Sequence, residues 1–102
     1  MEAEISKAIK AVYQQDPTVV GVMVADDSGL CLASDGGIPE EAAGLFASIV
    51  ARSHVVLPPG PNQSDDATPV VQIEAGQFVI LVKQALSVTM GIVKDKAKGR
   101  SA

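Results

Sequence analysis

Along residues 3–14 the apolar side chains Ile5, Ala8, Ile9, Val12 and Tyr13 recur at helical spacing, while Glu2, Glu4, Lys7 and Lys10 lie on the other side. This predicts an amphipathic helix ended by Asp16-Pro17. From Thr18 to Ala25 a nearly continuous Val-rich run is apolar on both faces, the pattern of a strand covered from two sides, and it is expected to be the central strand. Asp26-Asp27-Ser28-Gly29 has turn chemistry, and the extended pattern resumes from Leu30 to Ala33, so the two runs predict a hairpin, broken by Asp35-Gly36-Gly37.

Residues 39–57 read as the main helix, with Pro39 near its first turn, Glu40 and Glu41 at its positive end, and Pro58-Pro59-Gly60-Pro61 stopping it. The polar, proline-rich segment 58–68 predicts a mobile loop. Three short apolar runs follow, Val70 to Ala75, Phe78 to Lys83 and Leu86 to Val93, separated by hairpin-sized gaps at Gly76 and Gln84-Ala85. They predict an antiparallel meander. Residues 94–102 have no apolar face and read as a basic, frayed tail after a single domain spanning 1–93.

The main helix has more apolar surface than one sheet can cover. Phe46, Val50 and Leu57 define one direction on the helical wheel. Leu45, Ile49 and Val56 flank it on one side, and Ala43, Ala47 and His54 on the other. The non-polar sector spans about 200°, against a usual stripe of roughly 100° or more. The first helix or the long loop could cover the excess; otherwise it forms a patch of the kind monomers seldom display. The strand Val70 to Glu74 follows Pro69 and carries no blocking Lys, so it could pair edge to edge with another copy or a paralogue. The expected partner surface comprises Ala43, Leu45, Ala47, Ile49, Val50, His54 and Val56 on the helix, with Val70, Val71, Gln72, Ile73 and Glu74 on the strand.

Composition narrows the function. Phe46, Phe78 and Tyr13 are the only aromatics, which argues against an aromatic platform for stacking bases. The net charge is −4. Lys94, Lys96, Lys98 and Arg100 against Asp95 contribute +3 of it, leaving −7 for residues 1–93, a poor surface for phosphate backbones, so no nucleic-acid partner is expected. Cys31 is the sole cysteine, which excludes an internal disulfide and suits a reducing compartment. The start lacks the order of a signal peptide, and no run of about 18 apolar residues occurs. A cytoplasmic chain that meets membranes only through something else is expected.

Candidate chemistry is sparse. His54 is the only histidine, so a nucleophilic site would have to bring it beside Cys31 or a serine. Asp26-Asp27 and Asp65-Asp66 are adjacent acids without the oxygen spacing of a calcium loop. No phosphate-binding glycine motif is present. The expectation is a non-enzyme with no catalytic, cofactor-binding or metal residues.

The stretches Pro17 to Leu32 (PTVVGVMVADDSGLCL), Glu41 to Leu45 (EAAGL) and Thr68 to Glu74 (TPVVQIE), in this order and spacing, resemble the roadblock/LC7 family, and within it the small subunits of the Ragulator type. The resemblance runs from about Ile5 to Val93. It implies an α+β, profilin-like fold: a five-stranded antiparallel sheet with the main helix on one face and the N-terminal helix on the other. It also implies dimerisation through residues 40–57 and 70–75, with a roadblock paralogue or a second copy. A lipidated scaffold subunit would then wrap the pairs, and the assembly would hold Rag GTPases at the lysosome for amino-acid signalling to mTOR complex 1. The alternatives are a dynein-type roadblock light chain or a direct regulator of a small Ras-like GTPase.

Overall fold

The chain is described by a computed structural model that covers residues 2–57, 70–85 and 87–98. In chain order the elements are α1 (Glu2–Gln15), β1 (Val19–Asp26), β2 (Cys31–Asp35), α2 (Ala42–Val56), β3 (Val70–Ala75), β4 (Phe78–Ala85) and β5 (Val88–Asp95). The strands form one antiparallel sheet in the order β2-β1-β5-β4-β3. The class is α+β, with one helix on each face.

Each face is explained by the alternation of side chains along the strands. On one side Ile5, Ile9, Val12 and Tyr13 of α1 pack on Val19, Val22 and Val24 of β1 and on Val88, Met90 and Ile92 of β5. On the other, Ala43, Phe46 and Val50 of α2 pack on Met23, Ala25 and Val82. Phe46 lies directly over Gly91, where a Cβ would stand 2.6 Å from two atoms of its ring. The glycine is what lets the helix come this close.

The central strand is β5, not β1 as the Val-rich run suggests. Both are covered on two faces, but β5 achieves this with Thr89 and Gly91 beneath α2, small residues that leave room for Phe46. In β1–β2 the Asp26 carboxylate accepts from the backbone N–H groups of Leu30 and Ser28 at 2.9 and 3.0 Å and from the Ser28 hydroxyl at 2.8 Å, while Gly29 supplies a φ of 90°. The register slips next to the turn, with Val24 facing Ala33 but Ala25 facing Cys31, so Leu32 is left as a bulge.

The main helix starts later than expected. Pro39 and Glu40 carbonyls accept from Ala42 and Ala43 N–H, both at 3.0 Å, making a turn that leads into α2. The β4–β5 connection also sits later: Gln84 and Ala85 pair with Thr89 and Val88 inside the ladder. The proline-rich segment expected to be mobile lies outside the described residues.

The expected boundary at residue 93 falls short of the end of β5. Lys94 pairs with Val19 and with Val79, and Asp95 with Phe78, in the ladder. The Asp95 carboxylate accepts from Gln77 Nε2 at 3.0 and 3.1 Å, Lys96 N–H donates to Gln77 O at 2.7 Å, and Lys98 Nζ reaches Val19 O at 3.2 Å. Residues 94–98 therefore lie across the α1–β1 junction and the β3–β4 turn.

At that junction Lys94 Nζ is 2.7 Å from Asp16 Oδ2. The Lys94 contact, then the Thr18 hydroxyl and N–H, holds the Asp16 carboxyl down at about 2, from an ordinary 3.8. A depressed carboxylate stabilises the fold above its unfolded value and ceases to as pH falls through the folded one. Asp16→Asn should therefore lower the unfolding midpoint at neutral pH, and the gap to the parent should close as pH falls from about 4 toward 2. Thermal unfolding of both proteins across that window measures it; a gap independent of pH would remove Asp16 from the account.

Candidate pairing surface

Only part of the apolar surface of α2 is used by its own sheet. Ala43, Phe46 and Val50 are buried, whereas Leu45 and Val56 are 66% and 78% exposed. Ile49 is intermediate and packs against the same core as Val71 of β3 and Ile80 of β4. The flank bearing Leu45, Ile49 and Val56 thus leans toward β3. Among the described residues that strand is an edge, hydrogen-bonded to β4 alone, with Val70 54% and Ile73 41% exposed and Gln72 and Glu74 also in solvent. On the α2 side Leu45, Val56 and Ile73 present exposed aliphatic side chains, while Val70, next to the core-packed Val71, lies on the opposite face of the same edge; aliphatic side chains and a strand edge of this kind join protein chains by burial and β-augmentation.

Two residues expected at the partner surface belong to the core instead. Ala43 and Val50 are 1% and 2% exposed, because they share the direction of Phe46 and face Met23 and Val82. Ala47 and His54 are on the other flank, beside the β1–β2 turn. There they line a cleft of about 240 Å³ with Asp27, Val50, Ala51, Gln84 and Thr89. His54 Nε2 is 3.1 Å from Gln84 Oε1, and its buried Nδ1 has no partner. The two flanks that the helical wheel groups together therefore point in different directions.

The chemical candidates stay apart. Cys31 packs against the α2-side core from β2 and does not line the cleft beside His54. Burial, then the charge of Glu40, raises its thiol above the ordinary value, so it is a thiol rather than a thiolate at neutral pH. The Asp26 carboxylate is drawn below its usual value, chiefly by the Leu30 N–H, and is committed to its own turn. Among the described residues no three His, Cys, Asp or Glu side chains gather into a metal-holding group, and no helix is long and apolar enough to cross a membrane.

Sequence reasoning missed two surface features. Val55, 83% exposed, projects away from the sheet, and with Val56 and Leu57 it adds exposed aliphatic surface at the C-terminal end of α2. The cleft arises from residues distant in sequence, Asp27, His54 and Gln84, and no local motif announces it.

Comparison with known proteins agrees with the architecture. The structure resembles a roadblock/LC7 domain from Streptomyces avermitilis with a TM-score of 0.65 at 14% identity, over 86% of this chain and 75% of that one. It resembles MglB, described with a tetrameric arrangement, with a TM-score of 0.67 at 14% identity, over 93% and 75%. The fold is the roadblock/LC7 fold. In sequence, a Ragulator complex protein LAMTOR5 homolog of Ixodes scapularis is 28% identical over 98 residues, covering 96% of this chain and all of the relative. The family Ragulator complex protein LAMTOR5 matches residues 1–94, and the chain belongs to that family.

Proposed function

We propose that the chain is a non-catalytic scaffold subunit that pairs with another roadblock subunit through the Leu45/Ile49/Val56 flank of α2 and the edge of β3. Within a Ragulator-like complex the pair helps hold Rag GTPases at the lysosome for amino-acid signalling to mTOR complex 1. The observation that carries this reading is the exposure of Leu45 and Val56 on α2 and of Ile73 on the same side of the edge strand β3, on a chain of the LAMTOR5 family. Pairing would bury it at about 25 cal/mol per Å² before association costs. The chain itself is cytoplasmic in this reading, and a lipidated scaffold subunit brings the assembly to the late endosomal or lysosomal membrane. Residues 1–95 act as the domain, and the basic residues beyond are peripheral to pairing.

Co-expression with a roadblock paralogue, followed by size-exclusion chromatography with light scattering, tests the pairing. A stable one-to-one complex is expected, and a chain that remains monomeric at micromolar concentration beside every roadblock partner would defeat it. Co-purification from cells then separates the readings: Rag GTPases support the Ragulator role, and dynein components support the light-chain role. His54→Ala should leave the pair intact in the same chromatographic assay, because His54 faces the β1–β2 turn.

A further inference from the structure

The pairing flank of α2 is aliphatic except at one position. At about 100° per residue, Arg52 stands roughly 20° from Leu45 and 40° from Val56 about the helix axis, and one turn from Ile49 and from Val56 along it. Its side chain is exposed, as those of Leu45 and Val56 are. The ion pairs among the described residues join Lys94 to Asp16 and Lys96 to Glu74, and neither reaches it. Pairing through this flank brings the guanidinium up against the partner helix, partly out of water. Without a carboxylate there it opposes association; met by one, it gains a charged, bidentate contact.

Symmetry makes this decisive for a second copy. A two-fold axis that joins β3 edge to edge and also brings the α2 flanks together stands perpendicular to the sheet, so the two helices run antiparallel on one face. Leu45 precedes Ile49 by the same interval as Arg52 precedes Val56. An antiparallel match therefore sets Leu45 against the second copy's Val56, and Ile49 against its Arg52. The two arginines then stand about 4.5 Å apart along the axis. The acids of the described elements are badly placed to come between them. Glu40 and Glu41, at the start of α2, fall about 12 Å or more along the axis from the second copy's Arg52. Glu74, the one acid of β3, lies on the face opposite Val71 and Ile73 and is 3.8 Å from Lys96.

Resting on the pairing proposed above, we infer that Arg52 selects the partner: the surface takes a roadblock subunit whose α2 presents a carboxylate facing Ile49 and Arg52, and turns away a second copy of this chain. The aliphatic side chains supply attraction without discrimination, and the single cation supplies the discrimination.

A variant of the chain itself serves as the probe. Arg52→Glu changes an exposed residue and should leave the subunit folded, which thermal unfolding of the variant checks. Parent and variant, distinguished by an isotope label, are mixed in equal amounts at micromolar concentration and followed by native mass spectrometry and light scattering. The mixed pair should form at least about tenfold more tightly than either self-pair, and about 1 M salt should narrow that margin. A parent that pairs with itself as tightly as with the variant would overturn the inference, since the chain would then supply an acid of its own; a mixture that stays monomeric would overturn it too. A co-expressed roadblock paralogue separates this inference from the pairing it rests on. Absence of any complex defeats the pairing, whereas a complex formed equally well by parent and Arg52→Glu leaves pairing standing and removes Arg52 from the choice of partner.

Discussion

Replacing both Leu45 and Val56 with aspartate should disperse the roadblock pair while leaving the subunit folded. The two side chains are 66% and 78% exposed in the single chain, so their loss removes little from its own core. In a pair they would be desolvated, and each buried Leu or Val side chain stabilises by about 1.5–3 kcal/mol. Losing both, and placing carboxylates in an aliphatic contact, should weaken association by about 4 kcal/mol, on the order of a thousandfold. Light scattering of the co-expressed proteins reads the association, and thermal unfolding of the isolated variant reads the fold. A complex of undiminished mass at micromolar concentration would remove the α2 flank from pairing. Charging Ile49 or Val71 is a less clean experiment, since both pack on the subunit's own core and a carboxylate there would also loosen α2 from the sheet.

Gly91→Ala should be the most damaging single-methyl change in the sheet. Its Cβ would stand 2.6 Å from the Cδ2 and Cε2 atoms of Phe46, and neither the central strand nor the helix above it can retreat without opening the core. Overpacking of this kind costs about 2 kcal/mol, which in a domain of this size lowers Tm by roughly 10 °C. The mechanism makes a sharper demand than the magnitude. Phe46→Leu, mildly destabilising alone, should recover much of the loss in the Gly91→Ala background, because the shorter side chain vacates the ring's position. Unfolding midpoints of the four proteins give the coupling, expected at about 1 kcal/mol or more; strictly additive effects would show that the ring and the glycine do not constrain each other.

The same contact explains what sequence periodicity could and could not reveal. Helix, strand, strand, helix and three strands follow directly from the apolar spacing, and the bounds of β3, Val70–Ala75, coincide with the expected run. The central strand was not legible. In β5 the buried positions beneath α2 are Thr89 and Gly91, and Gly91 is covered by a phenylalanine more than forty residues away. The Gln84-Ala85 step predicts a turn, but Gln84 remains in β4 with its side chain against His54, a partner thirty residues distant in sequence.

The pairing surface was legible in outline and blurred in detail. A helical wheel gives the angle of each side chain about the axis, but not what lies beneath it. Leu45, Ile49 and Val56 lean toward β3, while Ala47 and His54 lean toward the β1–β2 turn, and only the placement of α2 across the sheet separates them. The wide apolar sector of the wheel places Ala43 and Val50 at the partner surface; within it, the part that faces the sheet is set by where Phe46 finds space.

The two borders of the sheet are unlike, and this bears on how many subunits can join. A sheet with two equally receptive borders could add members indefinitely and grow into a ribbon. Here β3 offers six straight residues, whereas β2 has five, is distorted at Leu32 and ends in Ser34 and Asp35. Strand addition at β3 uses up the receptive border of both participants, so growth by this route halts at two.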